Sequence, residues 1–263
     1  MFVRIDQIDH PLLDPYRNLR TTNLTRLSGQ FIAESRPLVA RLLESSLATE
    51  SILLDEAFVD EARSWIPDSV PVLVISSPMV RELIGFHFHR GYLACGRRPR
   101  FLPVESVKFS NSRTWTGVAL NGVPDPENMG SILRTCSALG IQDIFIGPNC
   151  VDPFARRVLR VSMGNAFKLN FYDFSDSIPA LLWFRSRSIE SIAACLSEES
   201  EELCQFRRKQ NAILLLGNEA HGLPAEILQH TDRKLKIAMD LSTDSLNVSV
   251  AAGIILHNLC RIC

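Results

Sequence analysis

The chain lacks any apolar run near the roughly 20 residues that a bilayer-spanning helix needs. Its longest candidates, Ala212–Gly217 and Val248–Leu256, have the lengths of a strand and a buried helix. The N-terminus, MFVRIDQIDHP, places charges and a proline where a secretory signal would carry its apolar centre. Seven cysteines, an odd number at irregular spacings, give no disulfide framework and fit reduced thiols in the cytoplasm. No cysteine–histidine set has zinc spacing, and His87 and His89 sit in the turn-like GFHFHRG, so no metal site is expected. Internal repeats and low-complexity tracts are absent.

An excess of either charge is also missing. There are 28 Lys and Arg against 29 Asp and Glu, a net charge of −1. Phosphate neutralisation dominates duplex binding, so this balance argues against a protein that coats nucleic acid along its whole surface. Basic residues do gather locally, at Arg97-Arg98-Pro99-Arg100, at Arg156-Arg157 with Arg160, and at Arg207-Arg208-Lys209. Such patches can hold a folded RNA, and each alone reads equally well as a solvated helix face.

What is present is a soluble globular composition, 46% apolar and 22% charged, in 263 residues, enough for two domains of common size. The segment Gly96–Arg113 mixes basic residues, prolines and serines without period and reads as a linker. It divides a small α/β domain (residues 1–96) from a larger one (114–263), with 97–113 between them. In the first, helical spacing predicts a helix over Phe31–Glu44. Strands are expected at Ser51–Leu54, Pro71–Ile75 and Gly91–Cys95. A helix over Asp55–Trp65 is capped by Asp55, and another runs from Ser77-Pro78 to about Ile84.

The second domain alternates strands and helices. The strands are Trp115–Leu120, Asp143–Ile146, Leu169–Tyr172, Ser191–Leu196, Ala212–Leu216 and Lys234–Ala238. The helices are Asn128–Leu139, Phe154–Met163, Ile178–Arg185, Pro224–His230 and Ser245–Leu259. That rhythm implies a mostly parallel sheet covered on both faces, with ligands where strand C-terminal ends meet loops.

Three stretches carry chemistry. In NGVPDPENMGSILRTCSALG (Asn121–Gly140), Asp125-Pro126 opens a helix. Asn128 and Arg134, six residues apart, share no helix face, so one ligand meets both only if Asn128 bends back from the entry loop. In LLLGNEAHGLP (Leu214–Pro224), a buried strand runs into a glycine-bounded loop. Leu223-Pro224 stands where a phosphate loop needs lysine and a hydroxyl residue, and the dinucleotide fingerprint is absent. Nucleoside binding through backbone groups stays open beside a simple tight turn. In LKIAMDLSTDSLNVSVAAGIILHNL (Leu235–Leu259), Ser245 reads as the cap of a helix that is apolar nearly all round. Such a helix needs cover on more than one face, from the sheet and from a second subunit.

Together these stretches resemble the SpoU family of the SPOUT superfamily. The family's DPxNxGxxxRT appears as DPENMGSILRT, its GxExxG as GNEAHG, its SLNVSVA letter for letter over Ser245–Ala251, and its RxSxG as Arg160–Gly164. The likeness covers Trp115–Leu259 well and continues weakly over FIAESRPLVARLL (Phe31–Leu43). Ala238 stands where proline is usual, Asp240-Leu241 where small residues are usual, and Ser35 where glycine is common.

The resemblance implies a trefoil-knotted C-terminal α/β methyltransferase domain with a mostly parallel sheet, beside a small N-terminal α/β domain that binds the RNA substrate. It implies methyl transfer from S-adenosylmethionine to a ribose 2′-hydroxyl of rRNA or tRNA, rRNA slightly favoured, by a cytoplasmic homodimer. Carried over position by position, the cofactor contacts are Leu216, Gly217, Asn218, Glu219, Ile237, Met239, Leu246, Asn247 and Ala251. The catalytic set is Arg134, Asn128, Glu219, Ser245 and Asn247, with Arg134 and Arg160 toward RNA. A guanidinium stays protonated at ordinary pH, so Arg134 serves the developing oxyanion and a neighbouring phosphate rather than acting as a literal base. A non-catalytic knotted RNA-binding or assembly factor would keep the same motifs. A nicotinamide oxidoreductase with the same strand–helix rhythm would need the glycine fingerprint that is missing.

Overall fold

The computed structural model describes residues 1–19, 28–85, 90–109, 114–208, 210–240 and 245–260. His87, His89 and Lys209 lie outside them, as do the last four linker residues and the loop at 241–244. Contacts divide the chain into two units, Met1–Pro99 with Asp152–Phe167, and Arg100–Val151 with Lys168–Cys263. No helix among the described residues is long and apolar enough to cross a membrane.

The first unit holds a five-stranded mixed sheet built from β1 (Phe2–Arg4), β2 (Gln30–Glu34), β3 (Thr49–Asp55), β4 (Val72–Ile75) and β5 (Tyr92–Arg97), in the order β1-β4-β3-β5-β2. β4 is a run of four buried aliphatic residues, as a strand covered on both faces requires, and it pairs in parallel with β1 and β3. β5 runs antiparallel to β3 and β2. The helix expected over Phe31–Glu44 is thus a strand joined to a shorter helix, α1 (Arg36–Leu43). Phe31, Ile32 and Ala33 are all buried and pair with Gly96, Cys95 and Ala94, a two-sided burial that helical spacing misreads. Ser35 makes the break, with φ 98° and ψ 152°.

Asp55 caps as expected, accepting from the Ala57 amide at 3.0 Å. The chain after it forms a 3-10 turn and one short helix, α2 (Val59–Ala62), rather than a helix to Trp65. Helix α3 (Ser77–Ile84) begins one residue after its cap, Ser76, while the Ser77 hydroxyl donates to Asp55 at 2.7 Å. Beneath the sheet, Leu13 and Tyr16 from a 3-10 segment pack with Ile32, Leu53, Leu73 and Leu93. Tyr16 donates its hydroxyl to the Ser51 carbonyl and accepts the Cys95 amide; burial drives its ionisation far above the usual tyrosine range.

The other face of β2 meets the segment 152–167, which includes α5 (Arg156–Val161). Phe31 packs against Phe154 and Phe167, with ring centroids 5.2 and 5.6 Å away. The buried Glu34 carboxylate pairs with Arg156 at 3.0 Å, and Arg98 pairs with Asp152 at 2.7 Å.

The second unit is a seven-stranded sheet, parallel throughout its described pairs. Its strands are β6 (Thr116–Leu120), β7 (Asp143–Ile146), β8 (Asn170–Asp173), β9 (Glu190–Ala194), β10 (Glu201–Glu202), β11 (Ala212–Leu216) and β12 (Arg233–Lys236). Their order is β10-β12-β9-β11-β6-β7-β8. Helices α4 (Pro126–Ala138), α6 (Ser177–Ser186), α7 (Ala225–His230) and α8 (Val248–Cys260) complete it. An aromatic core of Trp115, Phe145, Tyr172, Phe174 and Phe184 fills one side. At its edge the buried Asp143 carboxylate accepts from Trp115 Nε1, Asn170 Nδ2 and the Tyr172 hydroxyl, so its burial is matched by hydrogen bonds.

The stretch read as a linker is partly built into this unit. Leu102 bridges to β8, donating its amide to the Phe171 carbonyl and accepting from the Asp173 amide, both at 2.8 Å. Val104 and Val107 are buried in the aromatic core. Alternating apolar residues in so short a stretch do not stand out from the surrounding prolines.

Candidate functional site

In a parallel sheet all strands end on the same edge, and the order β12-β9-β11-β6 sets four such ends side by side. A cavity of about 460 Å³ opens there. Its walls come from Ala194, Cys195 and Leu196 after β9, from Leu216–Leu223 after β11, and from Leu235, Lys236, Ile237 and Met239 on and after β12. Leu228 of α7, Ser245, Leu246, and Val248, Ala251 and Ile255 of α8 complete the lining. The volume is in the range of small-molecule sites, roughly 300–1,000 Å³. Of the expected cofactor contacts, Leu216, Gly217, Asn218, Glu219, Ile237, Met239, Leu246 and Ala251 lie on this lining; Asn247 does not, though its neighbours do.

The loop after β11 is tight. A Cβ on Gly217 would stand 2.4 Å from the Gly222 carbonyl carbon and 2.5 Å from the Leu223 nitrogen, so only glycine lets the loop close. Asn218 and Gly222 exchange backbone hydrogen bonds at 3.0 and 2.9 Å. The Asn218 side chain is spent on holding this loop. Nδ2 donates to the Gly122 carbonyl at 2.8 Å, while Oδ1 accepts from the Ala220 and His221 amides at 2.8 and 3.2 Å.

At the rim the three sequence stretches meet. Asp125 caps α4, accepting from the amides of Glu127 and Asn128 at 2.6 and 3.2 Å, with Pro126 in the first turn. This places the buried Asn128 side chain beside Glu219: Nδ2 donates to Glu219 Oε1 at 2.9 Å. Asn247 Nδ2 donates both to Asn128 Oδ1 at 2.8 Å and to Glu219 Oε1 at 2.6 Å. The same residue starts α8. Asn247 Oδ1 accepts the amides of Ser249 and Val250 at 2.9 and 3.4 Å, and its carbonyl accepts from Ala251. Asn247 is therefore the helix cap, in place of the Ser245 expected from sequence. Both residue types cap well, but Asn has two N–H donors beside its acceptor oxygen and so reaches Asn128 and Glu219 together, whereas a serine hydroxyl has a single proton to donate.

Ser245 stands exposed on the cavity wall. Arg134 is exposed on α4 and has no hydrogen-bond or ion-pair partner among the described residues; no contact joins it to the Asn128–Glu219–Asn247 group. Asn128 lies in the first turn of α4, as the Asp125-Pro126 start implies, and so not on the entry loop that sharing one ligand with Arg134 would need. Arg160 is exposed on α5, in the first unit. Sequence reading missed the wall after β9, Cys195 and Leu196, although the C-terminal end of any parallel strand was a place to look. It also missed Leu228, Lys236 and His221. Among the described residues no group of three His, Cys, Asp or Glu is placed to hold a metal ion.

A parallel sheet with its cleft at the strand ends, apolar walls and a polar rim defines an α/β protein that takes a small organic ligand there. The chain belongs to the SpoU rRNA Methylase family, whose sequence model matches residues 116–257. An uncharacterized tRNA/rRNA methyltransferase of Mycobacterium bovis is 31% identical over 264 residues, covering 96% of this chain and 90% of that one. A 23S rRNA (guanosine-2′-O-)-methyltransferase of Acinetobacter baylyi is 26% identical over 198 residues, 74% of this chain and 80% of the relative. Among solved structures, an AdoMet-bound rRNA methyltransferase from Sinorhizobium meliloti shares the fold with a TM-score of 0.84 at 23% identity, over 99% of this chain and 98% of that one.

Proposed function

We propose that the protein transfers a methyl group from S-adenosylmethionine to a ribose 2′-hydroxyl of structured rRNA or tRNA. The observation that carries this reading is the joining of Asn128, Glu219 and Asn247 at the rim of a cavity walled by the loops at Gly217, Ile237 and Leu246. The residues present fit the cofactor. Leu216, Ile237, Leu246 and Ile255 offer apolar walls to a nucleoside, and the backbone of the tight Gly217 loop offers polar contacts beside them. The names of the Acinetobacter relative and of a tRNA (guanosine(18)-2′-O)-methyltransferase from Aquifex aeolicus, 30% identical over 144 residues, favour ribose over base.

When bound, the cofactor supplies an already activated methyl group, so the chain's own task is alignment and charge. Asn128 and Asn247 hold Glu219 and the start of α8 in one geometry. Arg134, free of protein partners among the described residues, is left for an RNA phosphate and for the charge that develops on the ribose oxygen. The hydroxyl proton leaves to solvent water, since the guanidinium keeps its own. Arg160 is assigned to RNA phosphate in the first unit. The C-terminal domain carries the family's knot, and the active form is a cytoplasmic homodimer, the exposed Val250 and Ile254 of α8 being apolar surface of the kind a partner covers.

The test is labelled-methyl transfer to total RNA and then nucleoside mass spectrometry, on protein shown by sedimentation to be dimeric at micromolar concentration. A 2′-O-methylated nucleoside is expected. Arg134→Ala should bind S-adenosylhomocysteine normally and lose at least about a hundredfold in transfer, the weight of one charge-stabilising group. Full transfer by Arg134→Ala would remove its role, and a methyl on a base would overturn the ribose assignment.

A further inference from the structure

Glu219 uses its two carboxylate oxygens unequally. Oε1 accepts from Asn128 Nδ2 at 2.9 Å, from Asn247 Nδ2 at 2.6 Å and from the Val248 amide at 3.4 Å. Oε2 has no hydrogen-bond or ion-pair partner among the described residues. Three donors on one oxygen fix the orientation of the carboxylate, so the other oxygen is held in place rather than left to rotate. Glu219 is also the one carboxylate on the cavity wall among the described residues; His221 and Lys236 are the residues there that can carry positive charge. The neighbouring Asp240 is not part of the lining, and Asp244 lies outside the described residues.

We propose that Glu219 Oε2 reads the charge of the methyl donor. A fixed carboxylate in the wall attracts a sulfonium and is indifferent to the thioether left after transfer, so the reaction itself loosens the spent cofactor. The inference rests on the S-adenosylmethionine reading and deepens it. Because Glu219 is largely exposed, the attraction has the weight of one solvent-screened ion pair, roughly fivefold in affinity.

Two ligands separate charge from shape. Sinefungin carries a protonated amine in place of the sulfonium, and S-adenosylhomocysteine carries the neutral thioether. Glu219→Gln keeps an amide oxygen for Asn128 and Asn247 and removes the charge. By calorimetry, Glu219→Gln should weaken sinefungin about fivefold and leave S-adenosylhomocysteine within about twofold. Equal weakening of both, or of neither, would overturn the inference. Salt gives a second reading on the native protein: sinefungin affinity should fall from about 50 mM to about 500 mM salt, roughly a threefold drop in Debye length, while that for S-adenosylhomocysteine holds. Parallel salt curves would also overturn it. Failure of the native protein to bind either ligand would instead sink the donor assignment on which the inference stands.

Discussion

Ser35 holds φ 98° and ψ 152°, a region that only glycine enters without strain. The strain comes from position. Glu34 must stay in β2 to keep its carboxylate on Arg156, while Arg36-Pro37 must open α1, and one residue makes the turn between them. No Ser35 side-chain hydrogen bond caps the helix in return. Strain of about 1–3 kcal/mol is therefore set against the larger entropy that glycine would lose on folding, about 0.5–1 kcal/mol. Ser35→Gly should stabilise the protein by about 1 kcal/mol, a rise of roughly 2–4 °C in Tm at this size. An unchanged or lower Tm would mean that the serine hydroxyl stabilises the turn by more than the strain costs. At this scale Asn128, Gly217, Glu219 and Asn247 were singled out by the resemblance to the SpoU motifs, since taken alone their stretches read as well as a helix cap or a tight turn. The partner each chose was not legible. Nothing in the letters distinguishes Ser245 from Asn247 as a cap, because the choice depends on Asn128 and Glu219, 119 and 28 residues away from Asn247 in the chain.

At the scale of elements, α8 begins where the site is assembled, so the cap and the rim are one device. Asn247 accepts from the helix with one atom and donates to Asn128 and Glu219 with another. Asn247→Ala removes both functions. It should cost about 1 kcal/mol for the cap and about 1 kcal/mol more for the donors withdrawn from Asn128 and Glu219. Asn247→Asp keeps the acceptor and suits the positive end of the helix, but brings a second carboxylate against Glu219. In urea titrations Asn247→Asp should be more stable than Asn247→Ala. Both should bind S-adenosylhomocysteine weakly in calorimetry, and the aspartate variant should recover binding as the pH is lowered and the paired acids take up a proton. Equal stability of the two variants would show that the cap contributes little. Most elements of the second unit were legible because buried parallel strands are short apolar runs set between helices. The edge strands β1 and β10 and the strand β2 were not. The first two are only three and two residues long, and β2 is buried on both faces and joins α1 after one residue, so its apolar positions merge with the helical period.

At the scale of the whole molecule, the two units do not track the two halves of the sequence. The chain leaves the first unit at Pro99, returns to it for Asp152–Phe167, and leaves again. Sequence could not reveal this, because Phe154–Met163 reads as one more helix in an unbroken strand–helix rhythm. The returning segment is a structural part of the first unit. It buries Phe154, Val158, Leu159, Ala166 and Phe167, closes over Phe31, and supplies the partner for a carboxylate only 6% exposed. Residues 1–99 made alone would uncover Phe31 and leave Glu34 without its cation. Each large apolar side chain returned to water costs about 1.5–3 kcal/mol, and a domain is stable by only about 5–15 kcal/mol. The fragment 1–99 should therefore show no cooperative thermal transition and should aggregate. The same fragment carrying residues 152–167 on a flexible glycine–serine linker should regain a single sharp unfolding step, and Phe31→Ala should abolish the rescue. A fragment 1–99 that unfolds cooperatively by itself would show that the segment merely rests on a domain complete without it, and the division of labour between the units would then match the order of the chain after all.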